Sequence, residues 1–427
     1  MSKIKRFAGM VALCCVPALP SLAQPLAGPA SGAALYDDVK RYDAFGIHRY
    51  GTAGHAAALD WMAERLKAAG LAVEEQKFTM GRQYFLDAAT LKIGGDTLQV
   101  VPQWWLPEGA ASFSLSSTIA REGDASGRFV RLKIPYDQGA YLGKNQRAAV
   151  AELMQRRPAA VLLTIDHPSG EIFTYNVDQA DAPWPVPVIL VAPKDEAKLA
   201  AAEARGEPVT VSIQGRLERN VVGRNIIGRL DRGKARTIVV STPVSSWFTS
   251  SCERGPGIAA FLATAQAASQ SMKDVNFVFV GTSGHEVGHG GMEHFIHDRA
   301  PKPQDVAVWL HYGASMACYA KPPGGADAAA LPPVNSQTRF ITLSTSMQSI
   351  VEAAFKDLPA QRLVGDKAHI GEMREILGAG YPRAFGMAGI HPLFHTASDS
   401  AAMTSPALLE PVVQAFVKAV RAVAEGP

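Results

Sequence analysis

Residues 237–257 decide the fold class and read TIVVSTPVSSWFTSSCERGPG. They begin with a mostly β-branched run at 237–241, continue as a polar loop, and lead into an alanine-rich stretch at about 257–271. A short apolar run followed by a turn and a helical pattern is typical of a buried strand that is covered by a helix. The segment therefore predicts one strand–loop–helix unit of an α/β sheet.

The same unit recurs through the second half of the chain. Further strands are predicted at 226–230, 275–280 and 306–311, and further helices begin near residue 291 and at residue 406. Apolar strands that alternate with helices are typical of a mostly parallel sheet sandwiched between helices. The chain of 427 residues is long enough to bury a core of this size. We therefore predict an α/β fold of this type.

Residues 110–216 have a different sequence pattern from the segments on either side. They contain short β-branched runs at 160–165 and 186–191 and a helical pattern at about 144–156. These runs predict strands with a helix before them. The segment is therefore expected to be a separate, β-rich part of the molecule.

The charge balance argues against binding to nucleic acid or through a polybasic patch to a membrane. The chain has 42 Lys and Arg residues against 39 Asp and Glu, and Lys3, Lys5 and Arg6 supply the whole excess. Without these three residues the chain carries 39 charges of each sign. Proteins that bind phosphate backbones usually show a basic excess or patch. We therefore expect no nucleic-acid partner.

The N-terminus has the form of a secretory signal peptide. Basic residues precede a short apolar stretch at 7–20, and the small residues Ser21 and Ala23 precede the expected cleavage site. The stretch is too short to span a membrane, and no later stretch reaches about 18 uninterrupted apolar residues. We therefore predict a signal peptide at 1–23, a mature chain that begins at Gln24, no membrane span, and a periplasmic or secreted location.

Cys252 and Cys318 are the cysteines that the predicted mature chain retains. An oxidising compartment would allow a disulfide between them, and two buried free thiols are the alternative. The sequence does not decide between the two. Neither cysteine lies in the paired spacing of a cysteine-based zinc site.

Polar residues follow the predicted strands at the points where the strands end. Glu253 comes after the strand at 237–241, His285 and Glu286 come after the next strand along the chain, and His311 ends the strand after that. Sites in such sheets form beyond the carboxyl ends of the strands, so these side chains are expected to lie near one another. Carboxylates and imidazoles suit a divalent cation such as zinc.

Two alternatives to this interpretation involve the same loops. Residues 285–289 spell H-E-x-x-H, which in a zincin places two histidine ligands on one helix with the glutamate as base. Glycines before, within and after the motif disfavour a helix, so a loop that carries site residues is the favoured interpretation. The second alternative pairs His285 with a nucleophile, either Ser245, Ser246 or Cys252, although no G-x-S-x-G sequence frames them.

The order of these motifs resembles a known family, the co-catalytic zinc aminopeptidases of the bacterial leucine aminopeptidase and aminopeptidase Y type, which also includes glutaminyl cyclase. The resemblance covers most of the mature chain and rests on the loops above together with RYGTAG at 49–54, NIIGRL at 225–230, GYP at 380–382 and HTASD at 395–399. It implies an aminopeptidase-like domain in two parts, 24–110 and 217–427, with residues 111–216 as an inserted protease-associated-like domain.

This chain departs from the family pattern at the metal. The positions that would carry H-x-D hold P-V-S at 243–245, and proline has no side-chain donor for a metal. The resemblance places the remaining ligands on Glu253, Glu286 and His395, the set that holds a single zinc ion in glutaminyl cyclases. It therefore implies one zinc ion here, with a metal-free site as the alternative.

The resemblance also implies roles for the histidines. The general-base position falls on His285, whose imidazole can accept a proton near neutral pH. A family ligand position falls on His311. It is expected to be an additional ligand, a residue that contacts and orients the ligands, or a stabiliser of the negative charge that develops on the substrate oxygen. His289 is a lesser candidate for the same roles.

The sequence and the resemblance together predict an exported, metallopeptidase-like hydrolase that cleaves an amide or peptide bond at a site with one metal ion. Acyl transfer of the glutaminyl-cyclase type and metal-free hydrolysis are alternatives. A catalytically inactive protein that binds peptide or glycan is another alternative, from a different class of function. The expected partner is a peptide or an N-acyl small molecule, and the oligomeric state is not predicted.

Overall fold

The computed structural model describes residues 30–121, 123, 125–322, 338–367 and 369–426. The signal peptide predicted at 1–23 lies outside these residues. Across the described ranges, no helix combines the length and the apolar character needed to cross a membrane.

The described residues form nine α-helices and fourteen β-strands. The helices are α1 (Gly32–Asp43), α2 (Ala53–Ala68), α3 (Lys144–Met154), α4 (Glu196–Arg205), α5 (Ser251–Ser271), α6 (Gly290–Asp298), α7 (Gln348–Ala354), α8 (Met373–Gly378) and α9 (Pro406–Glu425). The strands are β1 (Ala72–Ile93), β2 (Asp96–Gln99), β3 (Val101–Pro102), β4 (Phe113–Thr118), β5 (Phe129–Pro135), β6 (Ala160–Asp166), β7 (Val188–Val191), β8 (Pro208–Leu230), β9 (Thr237–Pro243), β10 (Asn276–Thr282), β11 (Val306–Tyr312), β12 (Arg339–Leu343), β13 (Gln361–Val364) and β14 (Ala384–Gly389).

The main sheet has a parallel centre. Its strand order is β13-β12-β14-β11-β9-β10-β8-β1-β2, with β4 also paired to β8. Strands β14, β11, β9 and β10 run parallel to one another. The predicted α/β fold with a parallel sheet is therefore confirmed at the centre of the sheet, and antiparallel strands extend it on both sides.

Helices cover both faces of this sheet. Along β9, Ile238 and Val240 pack into a core with α1, α2, α5 and α9, whereas Val239 packs into a second core with α6 and α8. Successive side chains of a strand point to opposite faces, so one strand serves both cores. This arrangement confirms the predicted sandwich and explains why β9 is apolar along most of its length.

A long antiparallel ribbon of β1 and β8 links the main sheet to a second sheet. The two strands pair from Ala72 with Arg229 at one end to Ile93 with Val209 at the other. Between them the chain builds a four-stranded sheet of order β3-β7-β6-β5, together with α3 and α4. The strands predicted at 160–165 and 186–191 and the helix predicted at 144–156 are confirmed as β6, β7 and α3. The domain bounds and the protease-associated character of 111–216 stay predictions.

Candidate active site

The chain turns sharply where β10 ends. Residues His285–Val287 form a single 3₁₀ turn, and Gly284, Gly288 and His289 have φ angles of 79°, 106° and 56°. Helix α6 begins at Gly290, so the H-E-x-x-H sequence does not lie on a helix and the zincin alternative is wrong. The predicted loop is confirmed. It stacks the rings of His285 and His289 with their centroids 4.4 Å apart.

Asn225, a fully buried residue of β8, holds both ends of this loop. Its side-chain Oδ1 accepts a hydrogen bond from the backbone N–H of Ser283 at 3.1 Å. Its Nδ2 donates to the backbone carbonyl of Gly291 at 2.7 Å. A buried amide that makes these bonds fixes the loop geometry, because breaking them would leave buried polar groups without partners.

Helix α5 begins at Ser251, six residues before the start predicted at 257. Pro256, which lies inside this helix, lacks the backbone N–H that a helix interior uses. The helix instead begins earlier, where the Asp399 carboxylate accepts hydrogen bonds from the backbone N–H groups of Cys252 and Glu253, each at 3.0 Å. A carboxylate at a helix N-terminus is favourable. Glu253 and Arg254 therefore lie on a fixed first turn.

A disulfide joins Cys252 to Cys318. This decides between the alternatives that the sequence left open. The bond ties the first turn of α5 to the chain that follows β11, and both cysteines are fully buried.

His285 is oriented by a buried carboxylate. Its Nδ1 lies 3.1 Å from Oε1 of Glu372, which also accepts a hydrogen bond from the Thr282 hydroxyl. With Nδ1–H donating to the carboxylate, the lone pair of Nε2 remains free to accept a proton. Burial and the nearby Arg254 cation lower the pKa of His285 well below its ordinary value of 6.5, so the ring is neutral at pH 7.

His311 of β11 contacts a hydroxyl group through Nδ1, where His285 contacts a carboxylate. Its Nδ1 lies 2.9 Å from the Ser241 hydroxyl oxygen, which accepts a hydrogen bond from the indole N–H of Trp309 at 2.8 Å. With the Ser241 hydroxyl as the donor to His311 Nδ1, the imidazole proton resides on Nε2. Burial lowers the pKa of His311 to about 4, so the ring is a neutral hydrogen-bond donor at pH 7.

His285, His311 and Arg254 line one cavity of about 340 Å³ at the carboxyl ends of the parallel strands. The remainder of the wall is mostly apolar and includes Phe340, Ile370, Met373, Met387, Ile390 and Phe394. A cavity of this size, apolar with a few converging polar groups, is typical of small-molecule sites. The structure thus brings the two predicted catalytic histidines to one cavity and adds an arginine that the sequence analysis did not select.

The three predicted metal ligands are placed as a pair and a separate residue. Oε1 of Glu253 and Nε2 of His395 are both buried and lie 3.4 Å apart. Glu286 is engaged elsewhere, because its Oε1 accepts from the Tyr50 backbone N–H at 2.6 Å and its Oε2 accepts from the Ser245 hydroxyl at 2.7 Å.

Arg254 makes a buried ion pair with Glu253. Its Nη2 lies 2.9 Å from Oε1 of Glu253, and its Nε donates to the Ser245 backbone carbonyl at 3.1 Å. Burial alone would raise the pKa of Glu253, but the Arg254 and His395 side chains bring it well below its ordinary value. Glu253 is therefore an anion whose charge is matched by an adjacent cation.

Comparisons with known proteins agree with this architecture. The structure is similar to BSAP, a zinc aminopeptidase from Bacillus subtilis, with a TM-score of 0.70 and 16% identity over 92% of this chain and 95% of that one. It is also similar to a peptidase M28 precursor from Shewanella amazonensis SB2B, with a TM-score of 0.68 and 16% identity over 93% and 94% of the two chains. The chain has the fold of the zinc aminopeptidases.

A third solved structure with the same fold is the aminopeptidase from Aneurinibacillus sp. strain AM-1, with a TM-score of 0.61 and 16% identity over 92% of this chain and 94% of that one. No family model and no curated protein matches the sequence. At these identities the likeness establishes the zinc-aminopeptidase fold.

The side chains as placed do not fit a three-ligand zinc site. Among the residues that the structure describes, the His, Cys, Asp and Glu ligand atoms that gather within 4.8 Å of one another belong to Cys252, Cys318 and His391 rather than to the predicted set. The two sulfurs of that group are joined in the disulfide and are not thiolates. Within the predicted set, Glu253 and His395 face each other as two ligands would, and Glu286 does not join them.

The three candidate nucleophiles are each engaged away from the His285 ring. The Ser245 hydroxyl donates to Glu286 and accepts from the backbone N–H groups of Gly284 and His285. The Ser246 hydroxyl donates to Glu253 at 2.7 Å, and Cys252 is in the disulfide. The structure therefore does not place any of the three as a partner of His285.

Arg254 and Glu372 are the site residues that sequence reasoning missed. Arg254 adjoins the selected Glu253, and an arginine at the carboxyl edge of a sheet was the signal that could have found it. Glu372 lies 87 residues beyond His285, just before α8, in a stretch without a motif. Nothing in the sequence pattern points to it.

Proposed function

We propose that the chain is an exported hydrolase that cleaves an amide bond in a peptide or N-acyl compound whose apolar portion fills the cavity. The observation that carries this proposal is the convergence of His285, His311 and Arg254 on one apolar cavity, with Glu372 behind His285. The zinc-aminopeptidase fold supports it, and the signal-peptide pattern at 1–23 supports export.

In the proposed reaction, Nε2 of His285 accepts a proton from water while the water oxygen attacks the carbonyl carbon. The Nε2–H of His311 and the guanidinium of Arg254 stabilise the negative charge that develops on the carbonyl oxygen. His285 then gives the proton to the leaving nitrogen as the C–N bond breaks. The products are a carboxylic acid and an amine.

The family's metal would polarise the same carbonyl if it were bound. Because the predicted ligands Glu253, Glu286 and His395 are not gathered around one point, no step of the proposed reaction depends on it. Metal analysis of the purified chain tests the zinc that the sequence analysis expected at these residues.

The proposal is tested by screening the mature chain against aminoacyl and N-acyl amides, then comparing two histidine variants on the best substrate. We expect His285→Ala to lower kcat by about 10²–10⁴-fold, the usual contribution of a positioned base. His297→Ala is the matched control, because the His297 side chain is 87% exposed and should leave kcat unchanged.

Running the reaction in ¹⁸O-labelled water separates the alternatives. Hydrolysis places one labelled oxygen in the new carboxylate, whereas acyl transfer of the glutaminyl-cyclase type gives a product without label. Binding of peptide or glycan without turnover by the wild-type chain would contradict the proposal and favour the inactive binding protein.

A further inference from the structure

Arg254 is a buried cation at the position where the sequence predicted a metal. Its side chain is 1% exposed, it lines the cavity, and its Nη2 contacts the same Glu253 oxygen that faces His395. Its Nη1 has no hydrogen-bond partner in the described structure. The guanidinium is therefore held by Glu253 and the Ser245 carbonyl, and Nη1 is left without a protein partner.

We propose that the guanidinium of Arg254 takes the place of the zinc ion, so that this chain binds the polar group of its substrate with an organic cation. A substrate carbonyl or carboxylate oxygen in the cavity would accept a hydrogen bond from Nη1. Arginine suits this role because it stays charged when buried and presents several N–H groups in a fixed plane.

Electrostatics explain why arginine and zinc exclude each other here. A zinc ion held by Glu253 Oε1 and His395 Nε2 would lie beside a guanidinium that is itself 2.9 Å from that oxygen. The single negative charge of Glu253 is already matched by Arg254, and the repulsion between two buried cations is strong in surroundings of low dielectric constant. Glu286 is engaged with Tyr50 and Ser245, so it does not offset the charge of Arg254 at this position.

The test measures zinc rather than turnover, so its outcome is independent of the hydrolase proposal. Mature wild-type chain, Arg254→Ala and Arg254→Lys are dialysed against zinc, and bound metal is measured by mass spectrometry and by titration calorimetry. We expect wild type and Arg254→Lys to hold far less than one zinc per chain. Arg254→Ala should bind zinc at least about tenfold more tightly than wild type, because the competing charge is gone.

The zinc bound by Arg254→Ala should be lost again in Arg254→Ala/His395→Ala. Such a loss would show that the zinc binds beside His395. About one zinc per wild-type chain that is lost in His395→Ala would overturn the inference. Equal zinc affinity of wild type and folded Arg254→Ala would also overturn it, because the guanidinium would then not be what excludes the metal. If Arg254→Ala fails to fold, Arg254→Gln replaces it, and the wild-type stoichiometry decides by itself.

Discussion

At the scale of single residues, the capacity of His285 to accept a proton depends on one carboxylate far away in the sequence. Glu372 is fully buried and lies 3.1 Å from Nδ1 of His285. As the acceptor of the Nδ1–H it favours the tautomer that leaves Nε2 free, and its position fixes the plane of the ring. Catalytic imidazoles need both conditions, because the proton acceptor must be in the correct state and within reach.

Replacing this carboxylate with an amide should weaken the proposed base while leaving the cavity intact. For Glu372→Gln we expect kcat to fall by about 10- to 100-fold with KM nearly unchanged, a part of the full contribution of a general base. Steady-state kinetics on the best amide substrate checks this. Glu74→Gln, at a half-exposed carboxylate on β1, is the control. A rise in KM with constant kcat would show that Glu372 shapes the cavity rather than orienting His285.

At the scale of elements, the strand-end loops hold their positions through close contacts with neighbouring strands. The loop between β10 and α6 fits against β8 because Gly291 has no side chain. A Cβ atom at Gly291 would lie 2.4 Å from the Ser283 carbonyl oxygen and 2.5 Å from Oδ1 of Asn225. These neighbours are backbone and a fully buried amide, so they cannot move away easily.

Gly291→Ala should therefore destabilise the fold and disturb the site together. We expect the free energy of unfolding to fall by about 1–3 kcal/mol, the usual cost of overpacking. Urea denaturation of Gly291→Ala and Gly95→Ala checks this, because a Cβ at Gly95 meets nothing within 4 Å. Equal stabilities of the two variants would contradict the close fit.

The disulfide fixes a second contact between elements. Cys252 and Cys318 are 66 residues apart in sequence, and their bond holds the first turn of α5 against the chain after β11. Closing a loop of this length restricts the unfolded chain, so Cys252→Ala/Cys318→Ala should lose about 2–4 kcal/mol of stability. Calorimetric melting of wild type and the double variant measures the loss. An intact mass that shows two free thiols in the non-reduced protein would contradict the bond.

At the scale of the whole molecule, the sequence pattern predicted those features that depend on residues close together in the chain. The apolar run of β9 could be read as a buried central strand because its residues pack on both faces. The long pairing of β1 with β8 could not be predicted from the sequence, because it joins strands more than 100 residues apart and many of its residues are exposed. The contact of His285 with Glu372 could not be predicted either, because the two residues are 87 positions apart in the sequence.

The histidines at the strand ends could be predicted because the position of a loop relative to a parallel sheet follows from topology. The direction in which each side chain points could not. Glu253, Glu286 and Arg254 all lie in the loops or turns that the sequence selected. Which carboxylate meets which cation depends on hydrogen bonds to Ser245, Ser246 and Tyr50 that no sequence motif encodes.

The buried histidines make the stability of the whole fold sensitive to acid. His48 is fully buried, its Nδ1 bonds to the Thr249 carbonyl at 2.7 Å, and its ring stacks on Tyr42. Burial lowers the pKa of His48 to about 4, against an ordinary value of 6.5. Between these two values the unfolded chain binds a proton that the folded chain does not, so stability rises with pH. The contribution is complete above about pH 6.5 and is lost as the pH falls toward 4.

Comparing how the free energy of unfolding changes with pH in wild type and in a His48 variant isolates the contribution of His48. Urea denaturation of wild type and His48→Phe at several values between pH 7 and pH 4.5 gives the free energy of unfolding as a function of pH. Phe keeps a ring on Tyr42 and cannot titrate. We expect the wild-type slope to exceed that of His48→Phe by up to about 1.4 kcal/mol per pH unit. Other titrating groups, including Glu286 and Glu372 whose pKa values burial raises, are common to both proteins and cancel in the difference. Parallel curves would show that His48 takes up its proton at the same pH in the folded and the unfolded chain, so that folding does not lower its pKa.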